Sequence, residues 1–363
     1  KDRSEKNETF SFYPWLVLIA ASLLFFYTFI QIDMLSPLGA ILMYTFHWNA
    51  ATLGTMSAMY FYACFLIIFP AGLLLDRYSP RKIMFIALFI TSISMFTFAL
   101  STNFWDASIS RFIQGICGSF GFLGAIRIVS RWFPPKKLAL ASGSVVTLAM
   151  LGGIVGQIPV ASLSILLGWR HTVVIFGLLG LILAFVELII VRDYPAHYVL
   201  PKQSGAKDIS SIGFWKSIRM VVGNRYNWLG GLYTTLMNLP VWTIGALWGG
   251  VYLTQSHSLS VIRASEVSAE LFLGALIGSP LIGWISDKLG RRVLPMILGA
   301  FFSAILILLI IYLLNASFVA LIIMFFLLGL VSSTQILTYP TIAELNSPLL
   351  TGSAIGVISL LVM

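Results

Sequence analysis

Apolar residues run along this chain in long blocks, parted by short polar stretches where Lys, Arg, Pro and Gly collect. A block of about 20 such residues covers the roughly 30 Å hydrocarbon core of a bilayer as an α-helix. Eleven blocks fit, beginning near Pro14, Ala50, Ile83, Phe104, Leu138, Trp169, Trp228, Ser265, Val293, Ser317 and Leu350. All are too long for strands, and none shows the two-residue alternation of a barrel, so helices are predicted throughout. The polar start KDRSEKNETF is followed by no small-residue cleavage site, so the first block is expected to span rather than to serve as a signal peptide.

Composition agrees with this pattern. Of 363 residues, 59% are hydrophobic and 10% charged, and the mean hydropathy is +0.96, whereas soluble domains are about a quarter charged. An integral membrane protein with the lipid bilayer as a partner is expected. The net charge of +9 is distributed by side. Lys1, Arg3 and Lys6 precede span one. Arg77, Arg81 and Lys82 follow span two, Arg131, Lys136 and Lys137 follow span four, and Lys288, Arg291 and Arg292 follow span eight. The middle stretch adds Arg192, Lys202, Lys207, Lys216, Arg219 and Arg225, while only Arg111, Arg170 and Arg263 lie at or near the other ends. Cytoplasmic loops are enriched in Lys and Arg, so a cytoplasmic amino terminus is predicted. The charge is thereby explained as topology, which argues against a nucleic-acid partner.

The longest polar stretch, about 192–225, divides six spans from five. The expected organisation is a first bundle over 1–191, a linker over 192–225 and a second bundle over 226–363. In the linker, SSIGFWKSIRM reads either as a short helix on the membrane surface or as an irregular connection. Two charged stretches stand at matching places: GLLLDRYSPRK closes span two, and GWISDKLGRRV closes span two of the second set. The chain is therefore read as a duplicated six-span unit, with a twelfth span expected beyond Met363.

These two loops resemble the signature loop of the major facilitator superfamily. RFIQGICGSFGF resembles its Arg-x-x-Gln-Gly signature in span four, RWFPPKKLALASG its link into span five, and YPTIAELNSPLLTGSAIG its turn between spans ten and eleven. The resemblance implies an all-α fold of two pseudo-symmetric six-helix bundles that rock around a site at mid-membrane. Two departures stand out. Ser79 occupies the place of a loop Gly, which would strain a left-handed turn. In GGIVGQIP of span five, Gln157 replaces the Pro of the exporters' G-x-x-x-G-P, with Pro159 two places later.

The resemblance also implies roles. Asp76 is expected to meet the start of span eleven near Thr351 and Gly352, and Asp287 the start of span five near Leu138, each on a helix amino terminus. With Arg77, Arg81, Arg131, Lys288, Arg291 and Glu344 they form an expected conformational gate. The plain alternative is a set of solvated, orienting loop charges.

Charged residues within a span are costly, at about 2.5 to 3.5 kcal/mol on insertion scales, and usually face a partner or a wet cavity. Arg111, with Gln114 on the same face, is expected to bind substrate or to couple protons; its structural alternative is a pair with Asp106 or Asp33. Among the acids Glu270 is the one expected in the pathway; it and Asp33, which lies near an outer span end, are the candidates to carry the coupling proton, while Glu187 lies near the opposite end. Tyr27, Gln31, Asn238, Trp242, Gln335 and Tyr339 fall on the spans that line the cavity in this superfamily, although each is also suited to bond across a helix interface.

No ATP-binding motif, catalytic cluster or metal-ligand spacing occurs, and Cys64 and Cys117 read as buried thiols, so neither enzyme, cofactor nor metal is expected. The reading is a monomeric secondary transporter in a bacterial cytoplasmic membrane, moving a small anionic or zwitterionic solute by proton-coupled uptake. The alternatives are an exporter of drugs or siderophores and a non-transporting sensor.

Overall fold

The computed structural model describes residues 12–195, 214–313, 315–346 and 361. Among these every regular element is helical, and ten are long and apolar enough to cross a membrane. The eleventh expected span, from Leu350, lies outside the described residues.

Span one comprises Tyr13–Ala21 and Leu23–Asp33 and continues as Leu35–Phe46. Spans two to six are Ala50–Arg77, Pro80–Ala99, Phe104–Trp132, Pro135–Leu167 and Trp169–Ile190. A short helix, Phe214–Gly223, leads into span seven, which is α-helical over Arg225–Pro240, a π-helix over Val241–Trp248 and α-helical again over Gly249–Ser256. Spans eight and nine are Val261–Leu289 and Val293–Tyr312. Span ten is Phe318–Ser332, one 3₁₀ segment, Ser333–Leu337, and Thr338–Leu345.

Short polar residues set several starts. Asn49, Ser79, Asn103, Asn224 and Ser317 each accept a backbone N–H of the following turn, satisfying donors that the helix leaves free. Ser79 also resolves the strain expected of it. It sits in extended backbone at φ −64°, ψ 115°, capping span three ahead of Pro80 at the first helical position, so no left-handed turn is made. At the matching place in the second loop Gly290 does take φ +60°.

Buried side chains of spans one to six form one apolar core, which runs from Val17 and Leu24 through Met84, Met95 and Phe120 to Phe176 and Val191. A second core joins spans seven to ten through Val241, Leu253, Leu271, Phe272, Phe325 and Leu328. Met150 and Ile154 of span five pack on the second core, and Leu247 and Trp248 of span seven on the first. Large side chains such as Ile182, Ile189, Ile297 and Phe301 face outward, as lipid contact requires.

Among the described contacts between the halves, the far part of span one packs closely on span seven. The Gly250 N–H donates to Ser36 Oγ at 2.9 Å, and the backbones approach so closely that a Cβ on Gly250 would meet the Ser36 carbonyl. Gly39 lies against Val251 and Gly54 against Trp248. At the basic end, by contrast, neither described ion pair joins the two halves.

Candidate functional site

Asp33 is the first surprise of depth. Because SPLGAILMYTF stays apolar and helical to Phe46, span one measures about 50 Å along its axis, and Asp33 lies well inside it. Pro37, four residues on, has no N–H to donate to the Asp33 carbonyl. Gln157 of span five supplies a donor instead: its Nε2 lies 3.4 Å from the Asp33 carbonyl oxygen and 2.7 Å from that of Gly245. Gly245 belongs to the π segment of span seven, a helix form that recurs at functional sites. One amide thus ties spans one, five and seven together.

The Asp33 side chain is fully buried beside Gly153 and Phe272, and neither carboxylate oxygen has a hydrogen-bond partner among the described residues. Arg111 is 1% exposed. Its Nη1 donates to the Gln31 carbonyl at 2.9 Å and to Gln114 Oε1 at 2.8 Å, and its guanidinium lies 5.2 Å from the centre of the Tyr60 ring. Nε and Nη2 are buried without a partner. The Gln31 carbonyl that Arg111 holds lies two residues before Asp33 on span one. Asp106, by contrast, is held at the span end by the Thr102 N–H and hydroxyl, at 3.1 and 3.0 Å.

An aromatic row lies alongside. Trp242 is 5.6 Å from Phe29 and 5.6 Å from Phe61, Phe61 is 5.3 Å from Tyr60, and Phe25 links Phe29 to Phe122. Trp242 is the row's one ring from the second half, and its indole N–H is buried and unpartnered. Gln31 Nε2, Gln157 Oε1 and Ser268 Oγ are also buried without partners, so spans one, four, five, seven and eight all contribute unsatisfied polar atoms. Buried polar atoms are normally paired, so this concentration makes the layer the candidate binding site.

The remaining contacts of the expected site residues lead in several directions. Tyr27 points into the first half, where its hydroxyl donates to the Phe176 carbonyl at 2.8 Å. Gln31 Oε1 accepts from Thr91 at 3.1 Å, and Gln114 Nε2 contacts Met95 Sδ at 3.5 Å. Asn238 donates to Gln335 Oε1 and to the Thr234 carbonyl, nearer the basic end, with half-buried Tyr339 one turn beyond Gln335. Glu270 is half-buried on span eight, and Glu187 is fully buried near the basic end of span six with both oxygens unpartnered.

Asp76 and Asp287 occupy the last turns of spans two and eight. Their side chains, and the contacts expected at Thr351, Gly352 and the Leu138 side chain, lie outside what is described. Around them two clamps form. Asp193 accepts from Ser79 Oγ, accepts from the Arg81 N–H at 3.0 Å and lies 4.0 Å from Arg131 Nη1, while the Arg81 Nε and Nη2 donate to the Leu188 carbonyl. Arg292 grips Glu344, with Nε to Oε1 at 3.0 Å and Nη2 to Oε1 at 2.6 Å. Arg77, Lys288 and Arg291 are exposed, with Lys288 lying 5.0 Å from the Trp284 ring centre.

Sequence reasoning did not assign Gln157, Tyr60, Phe29 or Phe61 to a site. Pro37 placed four residues after Asp33, and an amide in the glycine-lined span five, were the available signals.

These features define a polytopic helical membrane protein with a buried polar layer between two packed halves. The family model of the Major Facilitator Superfamily matches residues 21–363, and the chain belongs to that superfamily, a family of membrane carriers and not of enzymes. The probable galactarate/D-glucarate transporter GudP of Escherichia coli (strain K12) is 26% identical over 66% of this chain and 60% of its own length. The nitrate/nitrite transporter NrtP of Nostoc punctiforme is 31% identical over 40% of the chain and 31% of its own length. The membrane sensor protein UhpC of Salmonella typhimurium is 24% identical over 65% and 56%. The chain thus spans 60% or less of the length of these three relatives. A bacterial homologue of the human lysosomal transporter Spinster, solved inward-facing and unoccupied, superposes with a TM-score of 0.78 at 20% identity, over 96% of this chain and 79% of its own. That likeness concerns the fold.

Proposed function

We propose that this protein is a secondary active transporter that takes up a small organic anion or zwitterion together with protons, by alternating access. The observation that carries the reading is the buried Arg111 guanidinium, whose Nε and Nη2 are unpartnered at the seam of the two halves, with Asp33 nearby. Arginine presents those two N–H groups as a planar fork matched to a carboxylate. Asp33, which stands deeper than Glu270 is buried, is the favoured proton carrier.

In this reading residues 1–191 and 226–363 are the two bundles of a monomer in the bacterial cytoplasmic membrane, linked by 192–225. The amino terminus and basic loops face the cytoplasm, and Asp76 and Asp287 with their basic neighbours gate that side. The named relatives that handle aldarates and nitrate support an anionic solute.

The test is internal pH in proteoliposomes of the full-length protein while carboxylates, amino acids, sugars and nucleosides are added outside. Acidification with a carboxylate or amino acid, lost in Arg111→Gln, is the expected result. Acidification with a sugar or nucleoside alone would sink the anion reading. Binding without flux would favour a sensor, a reading to which the UhpC relative also points.

A further inference from the structure

We infer that the site takes a solute whose single charge is one carboxylate and carries one proton with it, so that each transport cycle is electroneutral. This rests on the proposed transport reading. The argument is a charge balance. Among the described residues Arg111 is the one buried Lys or Arg, and it shares its layer with one acid, Asp33. The layer is therefore neutral when both are ionised.

The way a carboxylate would be held is visible within the same protein. Arg292 uses Nε and Nη2 on Glu344, and in Arg111 the same two nitrogens are buried and unpartnered, with Nη1 committed to Gln31 and Gln114. A carboxylate on this fork takes over the charge that Asp33 feels. Asp33 is then left as a buried anion without a cation, a state that burial penalises heavily. One proton on an Asp33 oxygen restores neutrality, and anion and proton leave together when the halves reopen on the other side.

Among the described residues the other titratable groups around Arg111 are the Tyr60 hydroxyl and the buried Cys64 and Cys117 thiols, which are ordinarily neutral and already protonated near pH 7. Spans five, seven and eight bring Gly153, Gln157, Gly245 and Phe272 to Asp33 and its neighbours, none of which titrates. Span four brings Arg111, and span two brings Tyr60, whose ring lies beneath Arg111. Glu270 is only half-buried. A second carboxylate on the solute finds no second buried cation among the described residues. Beside the fork lie Tyr60, Phe61, Trp242 and Phe29, which suit an uncharged body.

The experiment uses acids paired by carbon skeleton, gluconate with glucarate and butyrate with succinate, on the purified full-length protein. Affinities come first, then uptake of the tighter-binding acid into proteoliposomes. The mono-acid is expected to bind at least about tenfold tighter than its di-acid partner. An imposed potential of about 100 mV is expected to leave accumulation unchanged, whereas each net charge moved would change it about 50-fold. Asp33→Asn, which mimics the protonated acid, is expected to lose accumulation driven by a pH gradient with insertion and melting temperature unchanged, and accumulation within twofold of wild type overturns the role of Asp33.

Tighter binding of the di-acid, or accumulation driven by the potential, overturns the inference and leaves the transporter reading standing. Absence of binding by all four acids overturns the inference alone, and the wider solute panel in proteoliposomes then decides the transporter reading separately.

Discussion

Arg111 and Arg292 present the same guanidinium fork in opposite surroundings. Arg292, at the basic end, closes its fork on Glu344, whose side chain is 60% exposed. Arg111 is 1% exposed and leaves its fork unpartnered. The difference teaches where this protein places electrostatic work. Water screens the first pair, so it contributes about 1 kcal/mol or less. Around the second, low dielectric magnifies every charge, so the interaction is strong and an unmatched group is costly.

The comparison is broken most severely at Arg111. Arg111→Gln is expected to lower uptake about 100-fold or more, as truncating a buried charge partner does, and a mutant within tenfold of wild type would remove Arg111 from the site. Gln157→Leu comes next, because it deletes both bonds that join spans one and seven to span five. Uptake should fall about tenfold with insertion and expression unchanged; normal kinetics would show the bridge to be incidental. Gly153→Ala sets a methyl about 2.8 Å from Asp33 Oδ2 and 2.7 Å from Phe272, and a several-fold loss in uptake is expected from such overpacking.

Smaller effects belong to the basic end. Asp193→Asn weakens the clamp on Ser79, Arg81 and Arg131 and should cost about 1 to 2 kcal/mol of thermal stability, read as a melting shift of the purified protein. Arg292→Gln should cost about 1 kcal/mol or less and leave uptake within about twofold. A large transport defect there would mean that the two forks are not as different as their burial suggests.

The two signature-like loops repeat the lesson on a smaller scale. Their charges align along the chain, yet Ser79 caps a helix and binds Asp193, while Gly290 turns left-handed. A motif read as strings treats Ser79 as a defect. In the folded chain Asp193, which lies 114 residues later, makes it a clamp.

Much of the fold was legible along the chain. Spans three and seven begin at Pro80 and Arg225, about three residues before the positions read from hydropathy, because basic side chains ride on helix ends with their heads toward water. Arg111 was legible because a cation in an apolar block demands a reason. Tyr27 and Asp33 were harder. Both lie in span one, but Tyr27 bonds span six within the first half, and Asp33 faces spans five and eight. No periodicity in the sequence separates those two directions.

What the sequence by itself determined was one-dimensional: which stretches form the ten described membrane-length helices, and which loops carry positive charge. Hydrocarbon thickness and the cost of burying charge act along the chain, so they leave their record there. Tertiary structure alone decided which polar atoms meet. It did so through the rotation of each helix about its own axis, the extension of span one past Asp33, and the carbonyls freed by Pro37 and offered by the π segment, which let Gln157 join three spans at the charged layer.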